Sequence, residues 1–236
     1  MKTLIDTTSM KTNARMAGVL YLIIIVCGLF SEVFVRSGLI IPGDVTATAD
    51  NITTNQGLFR IGFISDLIMV MSDVGVALLF YLLLKPVNNG LSMLAAFFRL
   101  AQATILGLNL LNYYMPLLLL NDGNYLSSFT GDQLNSLAVL FLNAHSYGYL
   151  ISGVFFGFSC IVLGYLMYKS ESFPNWLGIL IVAAGFSYLI DCFTNFMAPQ
   201  YANVSEVLVM TVAVVSELSL CLFLLIKGVK NNVVTE

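Results

Sequence analysis

Charge is scarce in this chain. Only 10% of its 236 residues are charged, and it holds one histidine and one tryptophan. Soluble domains carry about 25% charged residues, so the deficit, with a mean hydropathy of +0.90, excludes an ordinary water-soluble globule. A single histidine excludes a zinc centre built on two or three histidines and a bis-histidine haem. Cys27, Cys160, Cys192 and Cys221 lie apart within apolar runs and show no CxxC spacing, which argues against a disulfide framework or a zinc finger. GxSxG, HExxH and Gly-rich phosphate loops are also missing from the sequence, so no catalytic motif, metal or cofactor is expected. The net charge of −3 marks no acidic surface, because much of the acid falls inside apolar runs, and no basic patch suggests nucleic acid as a partner.

What is abundant is apolar length. Six runs, near Met16–Val35, Phe63–Leu84, Leu91–Leu119, Leu137–Tyr168, Trp176–Phe196 and Ser205–Lys227, each exceed or approach the roughly 20 residues that cross a hydrocarbon core of about 30 Å. The expected fold is therefore all-α, a polytopic bundle of six transmembrane helices forming a single membrane domain over residues 1–236, with the lipid bilayer as its first partner. The first run ends in Ser31-Glu32 and not in a small-x-small site, and so reads as a retained span. Lys2, Lys11, Arg15, Lys85, Lys169, Lys227 and Lys230 fall on one side of this arrangement, and only Arg36 and Arg60 on the other. That asymmetry places both termini in the cytoplasm and the protein in the cell (inner) membrane. The longest outer connection, Arg36 to Gly62, reads as a lid, with Thr48 or Asp50 capping a short interfacial helix that runs to Arg60.

Inside these runs stand residues that hydrocarbon rejects: Glu32, Asp66, Asp73, Arg99, His145, Asp191 and Glu217. Each acid or arginine at a helix centre costs roughly 2.5–3.5 kcal/mol, so such groups face inward toward partners, water or a ligand. Helical periodicity puts Asp66 and Asp73 on one face, Arg99, Gln102 and Asn109 on another, and His145, Tyr149 and Ser152 on a third. Counted from the middle of each span at 1.5 Å per residue, Glu32, Asp66, His145 and Asp191 fall roughly 7–11 Å toward the outer face, with Asp73 and Glu217 near the midplane. Five deep acids against one arginine and one histidine leave charge that structure alone does not balance. Arg99 is expected either to pair with Asp73 or Glu217 or to snorkel to the cytoplasmic headgroups. Without such a pair, Asp73 or Glu217 is expected to be neutral.

Two stretches add a resemblance. They are Leu58–Asn112, with Phe59-Arg60, Asp66, Asp73, Leu84-Lys85-Pro86-Val87 and Arg99, and Asn143-Ala144-His145-Ser146-Tyr147-Gly148-Tyr149 through Tyr188-Leu189-Ile190-Asp191. With Phe155-Phe156-Gly157, Leu163-Gly164-Tyr165 and Pro174-x-x-Leu177-Gly178 in this order, the chain resembles a bacterial membrane family known as domain of unknown function 4386, over roughly Arg15–Lys227. The resemblance implies a six-span inner-membrane protein and carries no activity with it.

The residues favour binding or proton-coupled transport of a small molecule or ion through an outward-biased polar pocket. The candidates for ligand binding or proton coupling are Glu32, Arg60, Asp66, Asp73, Arg99, His145, Tyr149, Asp191 and Glu217. Two other classes compete: a membrane scaffold or sensor accessory without turnover, and an intramembrane hydrolase-like enzyme using His145 as base beside Ser146 or Tyr149. The sequence does not decide the oligomeric state.

Overall fold

A computed structural model of the chain describes residues 2–121, 123 and 126–229. Lys230, one of the basic residues assigned to the cytoplasmic face, and part of the Asn121–Ser136 connection lie outside the described residues. The described residues form helices joined by short connections, with no strand among them, and six of these helices are long and apolar enough to cross a membrane. The first comprises α1 (Lys2–Leu29), a π-helical stretch over Phe30–Arg36 and the short α2 (Ser37–Leu39). The others are α4 (Gln56–Leu84), α5 (Asn89–Leu119), α6 (Gly131–Lys169), α7 (Asn175–Met197) and α8 (Ala202–Leu222), the last continued by a π-helical Phe223–Lys227. One shorter helix, α3 (Val45–Thr54), stands in the first long connection.

The element ends follow local chemistry. Gly43, at φ +81°, supplies the left-handed turn after Pro42 that other residues resist. Asp44 then caps α3 by accepting a hydrogen bond from the Ala47 amide at 2.9 Å. The cap is therefore Asp44 and not Thr48 or Asp50. Thr48 is buried and turns its hydroxyl back to the carbonyls of Asp44 and Ile41. Nor does this helix run to Arg60. It stops at Asn55 (φ −115°, ψ 38°), and Arg60 belongs to the spanning helix α4. At the start of α6, Thr130 Oγ1 accepts from the Gln133 amide while Gln133 Oε1 accepts from the Thr130 amide. This reciprocal capping box starts the helix six residues before the apolar run does. The 39 residues of α6 give about 58 Å at 1.5 Å per residue, well beyond the hydrocarbon core.

The chain divides into two compact units, a smaller one of Ile23–Met71 and Thr104–Tyr149 and a larger one of Met1–Leu22, Ser72–Ala103 and Leu150–Glu236. In lipid the hydrophobic effect does not drive helices together, so close packing and interhelical hydrogen bonds must. Large apolar residues such as Met71, Phe97, Leu111 and Ile179 accordingly remain exposed.

The smaller unit packs Val35, Leu39, Ile52, Phe59, Tyr113, Leu117 and Leu142 into one buried cluster, in which the Phe59 and Tyr113 rings stack 4.4 Å apart. In the larger unit α6 and α7 approach with their backbones nearly touching. A methyl group placed on Gly164 would lie 2.6 Å from the Gly178 carbonyl, and one on Gly157 would lie 2.9 Å from the Gly185 carbonyl. Serine hydroxyls tie neighbouring helices within this unit: Ser216 donates to the Leu180 carbonyl at 3.0 Å and Ser159 to the Ala95 carbonyl at 2.9 Å.

Candidate functional site

Each unit encloses one buried arginine that pairs with an aspartate of α4 and lies between two aromatic rings. In the smaller unit that arginine is Arg36. It follows the first apolar run and reads as an outer-face charge in the sequence, yet it is buried, at 8% exposure. The correction has a local cause. The π-helical turn, seen in the Ser37 amide bonding five residues back to the Glu32 carbonyl, widens the helix so that Ser31, Glu32 and Arg36 share one side.

Arg36 Nε donates to Glu32 Oε2 at 2.8 Å. Its Nη1 donates to Asp66 Oδ2 at 2.6 Å and to Ser31 Oγ at 2.9 Å. The guanidinium sits 5.7 Å from the centre of the Tyr113 ring and 5.9 Å from that of Tyr149, within the range of a cation–π contact. The two carboxylates differ: the side chain of Asp66 is 1% exposed and that of Glu32 58%. The spacing of Glu32 and Arg36, four residues apart, is the sequence signal of this pair.

His145 lies in the same unit, with its ring 5.2 Å from that of Tyr113 and 6.0 Å from that of Tyr149. It is clamped from α5. Asn109 Nδ2 donates to the His145 carbonyl at 2.8 Å, and His145 Nδ1 lies 3.2 Å from the Asn109 carbonyl. Gly148 makes this possible, because a side-chain carbon there would collide with the Asn109 amide. Two buried atoms of this unit, Asp66 Oδ1 and His145 Nε2, have no hydrogen-bond partner among the described residues. Tyr149 turns its hydroxyl toward Met69 Sδ at 3.8 Å and is partly exposed. Arg60 stays exposed and donates to the Tyr114 hydroxyl at 3.3 Å.

In the larger unit Arg99 is 2% exposed, so it does not snorkel. Its Nε and Nη2 both donate to Asp73 Oδ1, at 2.9 and 2.6 Å, and Gln102 Nε2 donates to Asp73 Oδ2 at 3.2 Å. The rings of Tyr21 and Phe156 lie 5.3 and 5.0 Å from the guanidinium carbon. The expectation of a neutral Asp73 was conditional on its having no such pair, and the pair is formed. Glu217 is served by Tyr188, whose hydroxyl donates to Oε1 at 2.6 Å.

Asp191 is also in the larger unit. It accepts from Ser205 Oγ at 2.7 Å and from Asn195 Nδ2 at 3.2 Å. Depth along a span had grouped it with Glu32, Asp66 and His145, but its hydrogen-bond partners are on α7 and α8. Tyr188 and Ser205 complete carboxylates that periodicity identified without their partners.

Six apolar helices with buried, paired charges define a multi-pass, all-helical membrane protein. The chain belongs to the family described as Domain of unknown function (DUF4386), which matches residues 16–228. An uncharacterized protein of Archaeoglobus fulgidus is 32% identical over 129 residues, which cover 55% of this chain. The chain spans 64% of that relative's length. No solved structure matches it.

Proposed function

We propose that this protein binds a small polar ligand inside the membrane and carries it across in a proton-coupled cycle, with Glu32, Arg36, Asp66, His145 and Tyr149 of the smaller unit forming the binding group. The observation that carries this reading is the division of Arg36 between an enclosed carboxylate, Asp66, and a largely exposed one, Glu32. The Glu32–Arg36 contact joins two residues of one helix and is exposed on the Glu32 side, so it contributes only about 0–1 kcal/mol and does not tie helices together. An exposed carboxylate on an anchored arginine instead offers an exchangeable contact, because a ligand can displace Glu32 while Asp66 keeps the guanidinium in place.

On this reading Asp73 with Arg99, Asp191 with Ser205 and Glu217 with Tyr188 fix the larger unit. Both termini lie in the cytoplasm and the protein resides in the cytoplasmic membrane. With Arg36 and Arg60 both within spanning helices, the outer connections hold no lysine or arginine, which supports this orientation.

The test is thermal stability of the purified protein in nanodiscs against amino acids, small carboxylates, amines and sugars. At least one class should raise the melting temperature of the wild type, and Glu32→Gln and Arg36→Gln should abolish that rise. If no class stabilises the wild type, the transport reading fails in favour of a scaffold or sensor accessory.

A further inference from the structure

The chemistry of the two unpartnered atoms identifies the coupling ion, an inference that rests on the transport reading above. His145 Nδ1 faces the Asn109 carbonyl oxygen at 3.2 Å. A carbonyl can only accept, so Nδ1 carries the imidazole proton and neutral Nε2 is left as a lone-pair acceptor. Asp66 Oδ1 is likewise an acceptor whenever the carboxylate is ionised, its sister Oδ2 being taken by Arg36. Two buried acceptors in one unit thus lack donors, and a buried polar group left without a partner costs about 1–3 kcal/mol.

Burial and the ligands at hand narrow the donor that suits them. Asp66 is 1% and His145 3% exposed, and neither unpartnered atom reaches the surface. A hard cation of the calcium or magnesium class wants about six oxygen ligands, whereas among the described residues no three of His, Cys, Asp or Glu converge to hold one. A proton needs no ligand shell.

Charge points the same way. The charges within electrostatic reach of the imidazole are Arg36, Asp66 and Glu32. Two carboxylates and one guanidinium leave one negative charge, which a single proton closes. The other groups facing the ring are the Tyr113 and Tyr149 rings and the Asn109 backbone.

We infer that His145 Nε2 and Asp66 Oδ1 are the seat of one exchangeable coupling proton. The step is a simple transfer, in which hydronium gives its proton to the pair and leaves as water, forming either imidazolium or a carboxylic acid. Arriving at Asp66, the proton weakens its hold on Arg36 and frees the guanidinium toward the exposed Glu32 side where the ligand binds. Arriving at His145, it adds a second cation beside Arg36, with the same effect on the guanidinium.

Because His145 is the chain's single histidine, protein labelled with 15N-histidine and freed of any affinity tag reports one imidazole. Nitrogen NMR in nanodiscs should show the Nδ1–H tautomer at neutral pH. On acidification from about pH 9 to about pH 4, either imidazolium or a protonated-carboxyl infrared band that Asp66→Asn removes should appear. The Nε2–H tautomer at neutral pH would overturn the assignment, as would the absence of both signals across that range. In liposomes an imposed pH gradient should drive proton flux in the wild type, and His145→Gln and Asp66→Asn should reduce it at least tenfold. Undiminished flux in both variants would remove the proton seat and leave ligand binding intact, whereas ligand-induced stabilisation that fails while the NMR titration succeeds would remove the transport reading alone.

Discussion

The Asp73–Arg99 pair offers the sharpest test of the packing. Asp73→Asn keeps the shape of the side chain and removes its charge, so that Arg99, at 2% exposure, becomes a buried cation facing a neutral amide. Asp73 Oδ1 takes two of its donors, at 2.9 and 2.6 Å, and Oδ2 takes one from Gln102. An amide cannot satisfy this set, because one of its two heads is itself a donor. Removing one partner of a buried pair costs about 3–5 kcal/mol. At about 2–4 °C per kcal/mol for a chain of this size, Asp73→Asn should melt about 6–20 °C below the wild type. Arg99→Gln should fall by a similar amount, since it leaves Asp73 buried with only Gln102.

The double variant removes both charges and places two amides where they can bond each other. It should recover at least half of the loss, a coupling of about 2 kcal/mol or more. Thermal unfolding of the four proteins in one detergent, followed by the fluorescence of the single tryptophan, measures this. If the double variant is as unstable as the two singles added together, the two residues are not an ion pair in the folded protein, and the account of this unit is wrong.

Gly164→Ala should destabilise the protein by about 1–3 kcal/mol, since the added methyl would meet the Gly178 carbonyl at 2.6 Å and the Val182 backbone nitrogen at 2.7 Å. Gly57→Ala, in α4 with nothing within 4 Å, should instead stabilise by about 0.5–1 kcal/mol in the same melting assay. Asp44→Ala should loosen α3 by about 0.5–2 kcal/mol through loss of its cap, read as faster hydrogen exchange over Val45–Thr54 with the spanning helices unchanged. A reporter fused after Lys227 should be active only in the cytoplasm and one inserted in the Asn121–Ser136 connection only outside, and the reverse pattern would refute the inferred orientation.

Hydropathy alone determined the six spans, because a bilayer leaves the backbone no alternative to helices about 20 apolar residues long. The polar positions inside them were equally legible, since each stands against an apolar background. So was the family resemblance, carried by segments such as His145-x-x-Gly148-Tyr149. The ends of elements were less so: α6 begins at a capping box that hydropathy passes over, and Arg36 closed an apolar run and read as a flanking charge.

Only the tertiary structure decided partners. That Asp66 takes Arg36, Asp73 takes Arg99, Glu217 takes Tyr188 and Asp191 takes Ser205 depends on the rotation and register of one helix against another. A single span does not encode those quantities, because lipid tolerates any apolar face equally well. The π turn at Phe30–Arg36 is the clearest instance. It shifts the register of the first helix, and with it turns a charge expected at the surface into the buried cation of the candidate site.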